Sequence, residues 1–339
     1  MPSRQPNVTV VIPCHDSVHF VTEALESIFA QSYTGFEVVL VNDGSPETEA
    51  LESLLVPYRS RIRYVRHENR GPGAARNTGI LHAAGEYVAF LDSDDAWLPA
   101  FLLEHLHALD ADPGLDMVYG DSVLFGRIPR SGGSAGKRSA TPPDASFENL
   151  VRRRCHIHPS CVVARRSALV AAGLFDEDLP YSEDLDLWAR LTHRGGRIEY
   201  LPRILTRRRV HGRSLTVQVD RLILGQLEMS RKLLETLPDL TPPQRSALED
   251  NVAHCEARLH LVQATEHLVD GRFREASRAM GTANAVLHDW KLRGAIAGLR
   301  LAPRVTRRLW LAVLARHPIV DRVRATRENG VEAADEAGG

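Results

Sequence analysis

Cysteine is scarce in this sequence of 339 residues: Cys14, Cys155, Cys161 and Cys255 are the only four, and no two form a CxxC pair. That argues against a disulfide framework and against a paired-thiolate zinc site, and it predicts free thiols in a reducing compartment. Long apolar runs are also missing. The longest, LWLAVLA from Leu309 to Ala315, falls far short of the ~20 residues a membrane-spanning helix needs. The opening MPSRQPNVTVVIP has no apolar signal core, so a cytoplasmic protein is expected. Neither sign of charge dominates. With 42 basic and 43 acidic residues the formal net charge is -1, which gives no general attraction to nucleic acid.

What is present is a regular alternation. From Val8 to Phe125, short β-branched runs precede helical stretches: VTVVIP before VTEALESIFAQ, EVVLVND before ETEALESLL, IRYVRH before GAARNTGILHAAG, EYVAFLD before LPAFLLEHLHAL, then MVYGDSVLF. Continuous apolar strands separated by helices predict an α/β fold with a parallel sheet covered on both faces. In such sheets ligands bind beyond the carboxyl ends of the strands, where Pro13, Asp43 and Asp92 fall. The Gly/Ser/Pro/Arg-rich stretch from Gly126 to Ser146 predicts a mobile loop. Beyond it, HPSCVVARRSALVAAGLFDEDL reads as strand then helix, SEDLDLWARLTHRGG as a helix closed by glycines, and RIEYLP and ILTRRRVH as two strands. After about Val219 the pattern is helical, with a break at PDLTPPQ. The expected division is a nucleotide-binding α/β domain over 1–219, a helical C-terminal region over 220–329 and a disordered tail over 330–339.

The segment FLDSDDAWLP, Phe90 to Pro99, places Asp92, Asp94 and Asp95 within four residues at a strand end. Three mutually repelling carboxylates become reasonable around a hard divalent cation that also holds a diphosphate, with Asp94 and then Asp92 as ligands. Spacing alone leaves backbone capping equally open.

Five blocks, VTVVIPCHD, VVLVNDGS, GPGAARNTGI, GEYVAFLDSDD and SEDLDLWARL, occur in an order and spacing that resemble the family 2 glycosyltransferases over roughly Asn7 to Thr216. The resemblance implies a GT-A fold and transfer of a sugar, with inversion, from a nucleotide-diphosphate donor, typically UDP-linked, to a glycan, lipid-linked or small-molecule acceptor. It implies that Asp43 bonds the nucleotide base and that Pro13 and Asp16 line the same pocket. It also puts the DXD motif on Asp92, Ser93 and Asp94, which implies a bound Mn²⁺ or Mg²⁺. His211, in RRRVHGRSLT, resembles a loop histidine that closes over the donor, and it is a further candidate metal ligand. Arg76 and Asn77 would lie beside the donor, with a surface salt bridge equally open for Arg76. Glu183 and Asp184 match the acidic pair, Asp184 as base and Glu183 orienting it; as helix-opening acids they also suit the helix dipole.

Other signals are weaker. GPGAARNTG begins like a dinucleotide fingerprint, but Arg76 stands where the third glycine belongs and the segment follows the third strand, which argues against NAD. CHIHPSC lacks zinc-type spacing and reads better as a strand bordering the acceptor site. ATEHLVDGRFREASRAM resembles one tetratricopeptide-like hairpin, with Gly271, Phe273 and Ala276 in suggestive places; a single repeat makes no array. From Lys291 to Arg327, ten basic residues face only Asp321, interleaved with apolar residues and Trp310. Such a stretch suits either ordinary packing or peripheral contact with the inner face of a membrane. Two competing readings stay open. A sugar nucleotidyltransferase would carry a basic Gly-rich loop after the first strand, where this chain has PCHDSVHF. A non-catalytic nucleotide-sugar-binding module would not need Asp43, Asp92, Asp94 and Asp184 together.

Overall fold

A computed structural model describes residues 6–126, 144–211 and 219–314. The bulk of the predicted Gly126–Ser146 loop, the 330–339 tail and Arg316, Arg322, Arg324 and Arg327 lie outside the described residues. By contacts the described chain forms two compact units, one of residues 6–126, 144–211 and 233–247, the other of 219–232 and 248–314.

The first unit is built on one eight-stranded sheet. Its strands are β1 (Val8–Cys14), β2 (Phe36–Asp43), β3 (Arg63–His67), β4 (Tyr87–Phe90), β5 (Ala96–Trp97), β6 (Met117–Gly126), β7 (Val162–Arg165) and β8 (Ile198–Val210), in the order β3-β2-β1-β4-β7-β6-β8-β5. The expected parallel sheet is confined to β3-β2-β1-β4. Strand β7 runs antiparallel to both β4 and β6, and β8 is parallel to β6, so the whole is mixed. Apolar continuity marks a strand as buried on both faces and is silent about its direction.

RIEYLP and ILTRRRVH are one strand, not two. Gly120 pairs with Leu201 and Asp121 with Ile204, so Pro202 and Arg203 are skipped in a bulge. A proline has no N–H to give the ladder, and the bulge accommodates it.

Residues along β1 and β2 alternate between two packed faces. Val10, Ile12, Val38 and Leu40 pack with α1 (Val21–Phe29) and α4 (Phe101–Ala111), whereas Val39 and Val41 pack against Ala75 of α3 (Gly71–His82). Gly79 lets α3 approach closely: a Cβ there would lie 2.2 Å from a Val11 methyl. Two covered faces leave the carboxyl edge of the parallel strands as the open side of this sheet.

The second unit is helical. It draws on α8 (Val219–Thr236), α9 (Pro242–Val269), α10 (Phe273–Leu287), α11 (Trp290–Leu301) and α12 (Pro303–Leu314). The short helices of the first unit are α2 (Thr48–Leu55), α5 (Phe147–Val151), α6 (Arg166–Ala171) and α7 (Glu183–His193). The predicted break at PDLTPPQ separates α8 from α9. The predicted hairpin is α9–α10: Gly271 takes a φ of +74° in the turn, and Ala276 is fully buried beside Leu268 and Met280. All four cysteines are free and buried.

Candidate active site

The three aspartates after β4 do not share one partner; each meets a different one. Asp92 accepts a hydrogen bond from Arg76 Nη2 at 2.7 Å. Asp94 Oδ2 accepts from His211 Nε2 at 3.0 Å, just past the end of β8. Asp95 does not cap the following helix, whose N-cap is Ala100; instead its Oδ1 accepts from the backbone N–H of Arg209 at 2.8 Å. Burial, reinforced by Asp92 and Asp94, pushes the Asp95 carboxyl up to about 7. Burial and Asp92 likewise raise Asp94, against the pull of His211. The cluster is thus a short acidic turn, with Asp94 and Asp95 tied to the end of β8.

Ser93 and Asn77 turn out to be internal. Ser93 Oγ donates to Ser17 Oγ at 2.6 Å, which ties this turn to the loop after β1. Asn77 donates to the Phe175 carbonyl at 2.9 Å and to Glu177 Oε1 at 3.0 Å, and it accepts from the Phe175 N–H at 2.8 Å. With its amide so engaged and only 5% exposed, Asn77 fastens the loop at Phe175–Glu177.

At the end of β2, Asp43 is buried, accepts from the Arg70 N–H at 2.8 Å and lies 3.3 Å from His67 Nδ1. Gly44 follows at φ +61°, where a Cβ would strike the Asn69 backbone nitrogen at 2.5 Å. Pro13 is half-buried beside Val41 in the neighbouring strand. Asp16, in the loop beyond it, takes a φ of 49°. These residues occupy the strand ends that the sequence pattern predicted.

The acidic pair opens α7. Ser182 precedes it at φ 66°, a left-handed conformation that costs a non-glycine residue about 1 kcal/mol or more. Burial pushes the Glu183 carboxyl up to about 7; Asp184 adds to the shift and Arg76 opposes it. Asp184 is raised too, chiefly by burial, with Arg76 again opposing. A raised carboxyl is the stronger proton acceptor once ionised.

Arg76 joins the two acidic groups. It is 4% exposed, and besides Asp92 it donates from Nη1 to Glu183 Oε1 at 2.7 Å. Its guanidinium packs 5.5 Å from the Phe175 ring. The alternative of a surface salt bridge fails, because Arg76 and its partner Glu183 are both buried. Sequence reading missed this link and also missed Ser160. The Ser160 hydroxyl accepts from the Asp92 N–H at 3.1 Å, and its carbonyl accepts from Trp97 Nε1 at 2.7 Å. CHIHPSC therefore backs the acidic turn: Cys155 Sγ lies 3.1 Å from the Tyr119 hydroxyl, and burial together with nearby Arg208 and Arg153 lowers the pKa of His158.

Asp94 Oδ2 and His211 Nε2 would suit a divalent metal of the Mn²⁺ or Mg²⁺ kind if the cation replaced the proton they now share; both side chains are partly exposed. Asp92 has one oxygen committed to Arg76 and one remaining. Among the described residues no group of three or more His, Cys, Asp or Glu is arranged to hold a metal. A cation held here would take its remaining ligands from water or substrate phosphates, the usual condition for Mg²⁺.

Residues 9–170 match the glycosyl transferase family 2 profile. An uncharacterised glycosyltransferase of Rickettsia typhi is 31% identical over 234 residues, which cover 66% of this chain and 69% of that protein. The chain belongs to the family 2 glycosyltransferases. It spans less than half of the length of several other curated relatives, such as 47% of a Rickettsia felis protein at 29% identity. Two solved structures share the fold. A Pyrobaculum calidifontis mannosyltransferase with GDP-Man and Mn²⁺ has a TM-score of 0.58 and 22% identity, covering 95% of this chain and 88% of that one. S. aureus TarS with UDP-GlcNAc has a TM-score of 0.58 and 18% identity, covering 95% and 92%. This family 2 chain therefore has the GT-A arrangement that the five sequence blocks implied.

Proposed function

We propose that the chain transfers a sugar from a UDP-linked donor to an acceptor hydroxyl, with inversion at the anomeric carbon. The observation that carries this reading is the buried Arg76, which joins the partly exposed Asp92 of the acidic turn to Glu183, next to Asp184. Support for a nucleotide-sugar donor comes from two relatives by fold, whose structures contain UDP-GlcNAc in one case and GDP-Man with Mn²⁺ in the other.

In this reading Asp43 takes the base, with Pro13 and Asp16 beside it, and Asp94 and His211 would hold a divalent metal. A bound divalent cation supplies charge neutralisation for the departing diphosphate. Asp184 accepts the acceptor's proton as its oxygen bonds to the anomeric carbon. The bond from that carbon to the diphosphate oxygen breaks, and its electron pair leaves with the diphosphate. Glu183, held by Arg76, orients Asp184. Attack and departure on opposite sides of the carbon give inversion.

Turnover of UDP-, GDP- and dTDP-sugars, with chelator and after adding back Mn²⁺ or Mg²⁺, tests this reading. Hydrolysis or transfer is expected with a UDP-sugar, to stop with chelator and to return with metal. Asp94→Ala is expected to weaken UDP binding by at least about tenfold, since a hydrogen bond to a charged group contributes about 1.5–3 kcal/mol, while uridine binding changes little. Full turnover in excess chelator refutes the metal role; preference for a GDP-sugar refutes the choice of base.

A further inference from the structure

In the helical unit, α12 carries an unusual exposed face. Val305 and Leu309, one turn apart on α12, are 58% and 64% exposed, and Leu301, the last residue of α11, is 86% exposed. Arg304 and Arg308 lie on the same side and are also exposed. The opposite side is packed: Trp310 sits against the cluster of Leu268, Ala276 and Met280. On α12, spacing of three and four residues puts Arg304, Val305, Arg308 and Leu309 on one stripe.

Beside that stripe is an open hollow of about 750 Å³, where Arg304, Arg307 and Arg308 face Phe273. Arg307 is fixed there, donating to the Val269 carbonyl at 2.9 Å. Charge in this part of the chain has one sign. Lys291, Arg293, Arg300, Arg304, Arg307 and Arg308 have no acidic counterpart between Trp290 and Leu314. Trp290, at the start of α11, is 74% exposed. No helix among the described residues is long and apolar enough to cross a membrane, so the contact that remains is with a surface.

We infer that α12 and the start of α11 dock on an anionic phospholipid bilayer, with Val305, Leu309 and Leu301 entering the headgroup boundary and the arginine hollow receiving lipid phosphate. Basic residues alone would suit nucleic acid equally well. The exposed aliphatics on the same stripe decide for lipid, because nucleic-acid phosphates offer them nothing whereas an acyl boundary takes them out of water. This goes beyond the sugar-transfer reading and does not depend on it.

Flotation of the full chain with vesicles tests the inference, using phosphatidylcholine alone and phosphatidylcholine with phosphatidylglycerol. Binding is expected only with the anionic vesicles, falling as salt rises. Arg304→Ser with Arg308→Ser is expected to lower partitioning by roughly thirtyfold at low salt, from about 1 kcal/mol per basic residue. Val305→Ser with Leu309→Ser is expected to lower it by about tenfold at low and high salt alike. These residues are exposed, so both variants should keep their circular dichroism and their turnover. Absence of binding to anionic vesicles at low salt overturns the inference, as does equal binding to neutral ones. Parent-like binding by both double variants would place the contact elsewhere on the chain and refute the assignment to α12. RNA binding that the Val305→Ser, Leu309→Ser variant retains in full would make the face a nucleic-acid surface and refute it as well.

Discussion

Replacing Asp184 with Asn is expected to cut sugar transfer by about 10² to 10⁴ while leaving donor affinity nearly unchanged. An acceptor hydroxyl is a poor nucleophile at neutral pH, and a positioned general base typically contributes about that factor. The amide preserves size and hydrogen bonding but cannot take a proton. Asp43, Asp94 and His211, on which donor affinity depends in this reading, are untouched, so the loss should appear in kcat and not in the UDP Kd. Burial raises the Asp184 pKa, so transfer by the parent protein should fall as pH drops through that raised value and the base becomes protonated. The variant should lack this limb. A parent-like transfer rate in Asp184→Asn would remove Asp184 from the role.

Asp186, two residues further on, looks in the sequence like a fair control for that experiment. It is not. Asp186 is 1% exposed and ion-paired with Arg190, whose guanidinium also donates to the carbonyls of Ala172 and Leu174. Removing that carboxylate leaves a mostly buried arginine without its counter-charge and costs folding stability, independent of any proton transfer. An exposed acid such as Asp178 makes the better control.

The same contrast shows what was legible in the sequence. The alternation of apolar runs and helical stretches located β1, β2, β3 and β4 and put Asp43 and Asp92 at strand ends, because burial on both faces leaves a pattern in the residue types themselves. Strand β5 is two residues long, and no periodicity can register over that length. The partners of the acidic turn were hidden for another reason. His211 and Arg209 meet Asp94 and Asp95 from more than a hundred positions away, through a strand whose placement depends on the antiparallel half of the sheet. Asn77 and Arg76 are neighbours in one motif, yet Asn77 fastens the Phe175–Glu177 loop while Arg76 bridges two acids. A motif indicates that such positions matter; only packing separates holding the site together from acting in it.

Arg76→Leu is expected to be the most damaging single change to stability. The leucine fills the space but leaves Asp92 and Glu183 without their cation, and breaking a buried ion pair from one side typically costs about 3–5 kcal/mol. Arg76→Lys should recover only part of that, since one ammonium replaces a planar fork that reaches two carboxylates at once. The pH dependence distinguishes lost charge balance from lost packing. Glu183 already holds its proton up to about 7 in the folded protein, above the ~4.3 of an unfolded glutamate, so the folded state binds more protons in that window and stability declines as pH rises through it. Without Arg76, which opposes this shift, the folded value rises further and the decline steepens. The stability deficit of Arg76→Leu relative to the parent should therefore be large at about pH 8 and shrink toward about pH 5, as Glu183 becomes neutral and needs no partner. Chemical denaturation at the two pH values reads this directly. An equal deficit at both would mean that Arg76 acts through packing against Phe175 and not through the charges it joins.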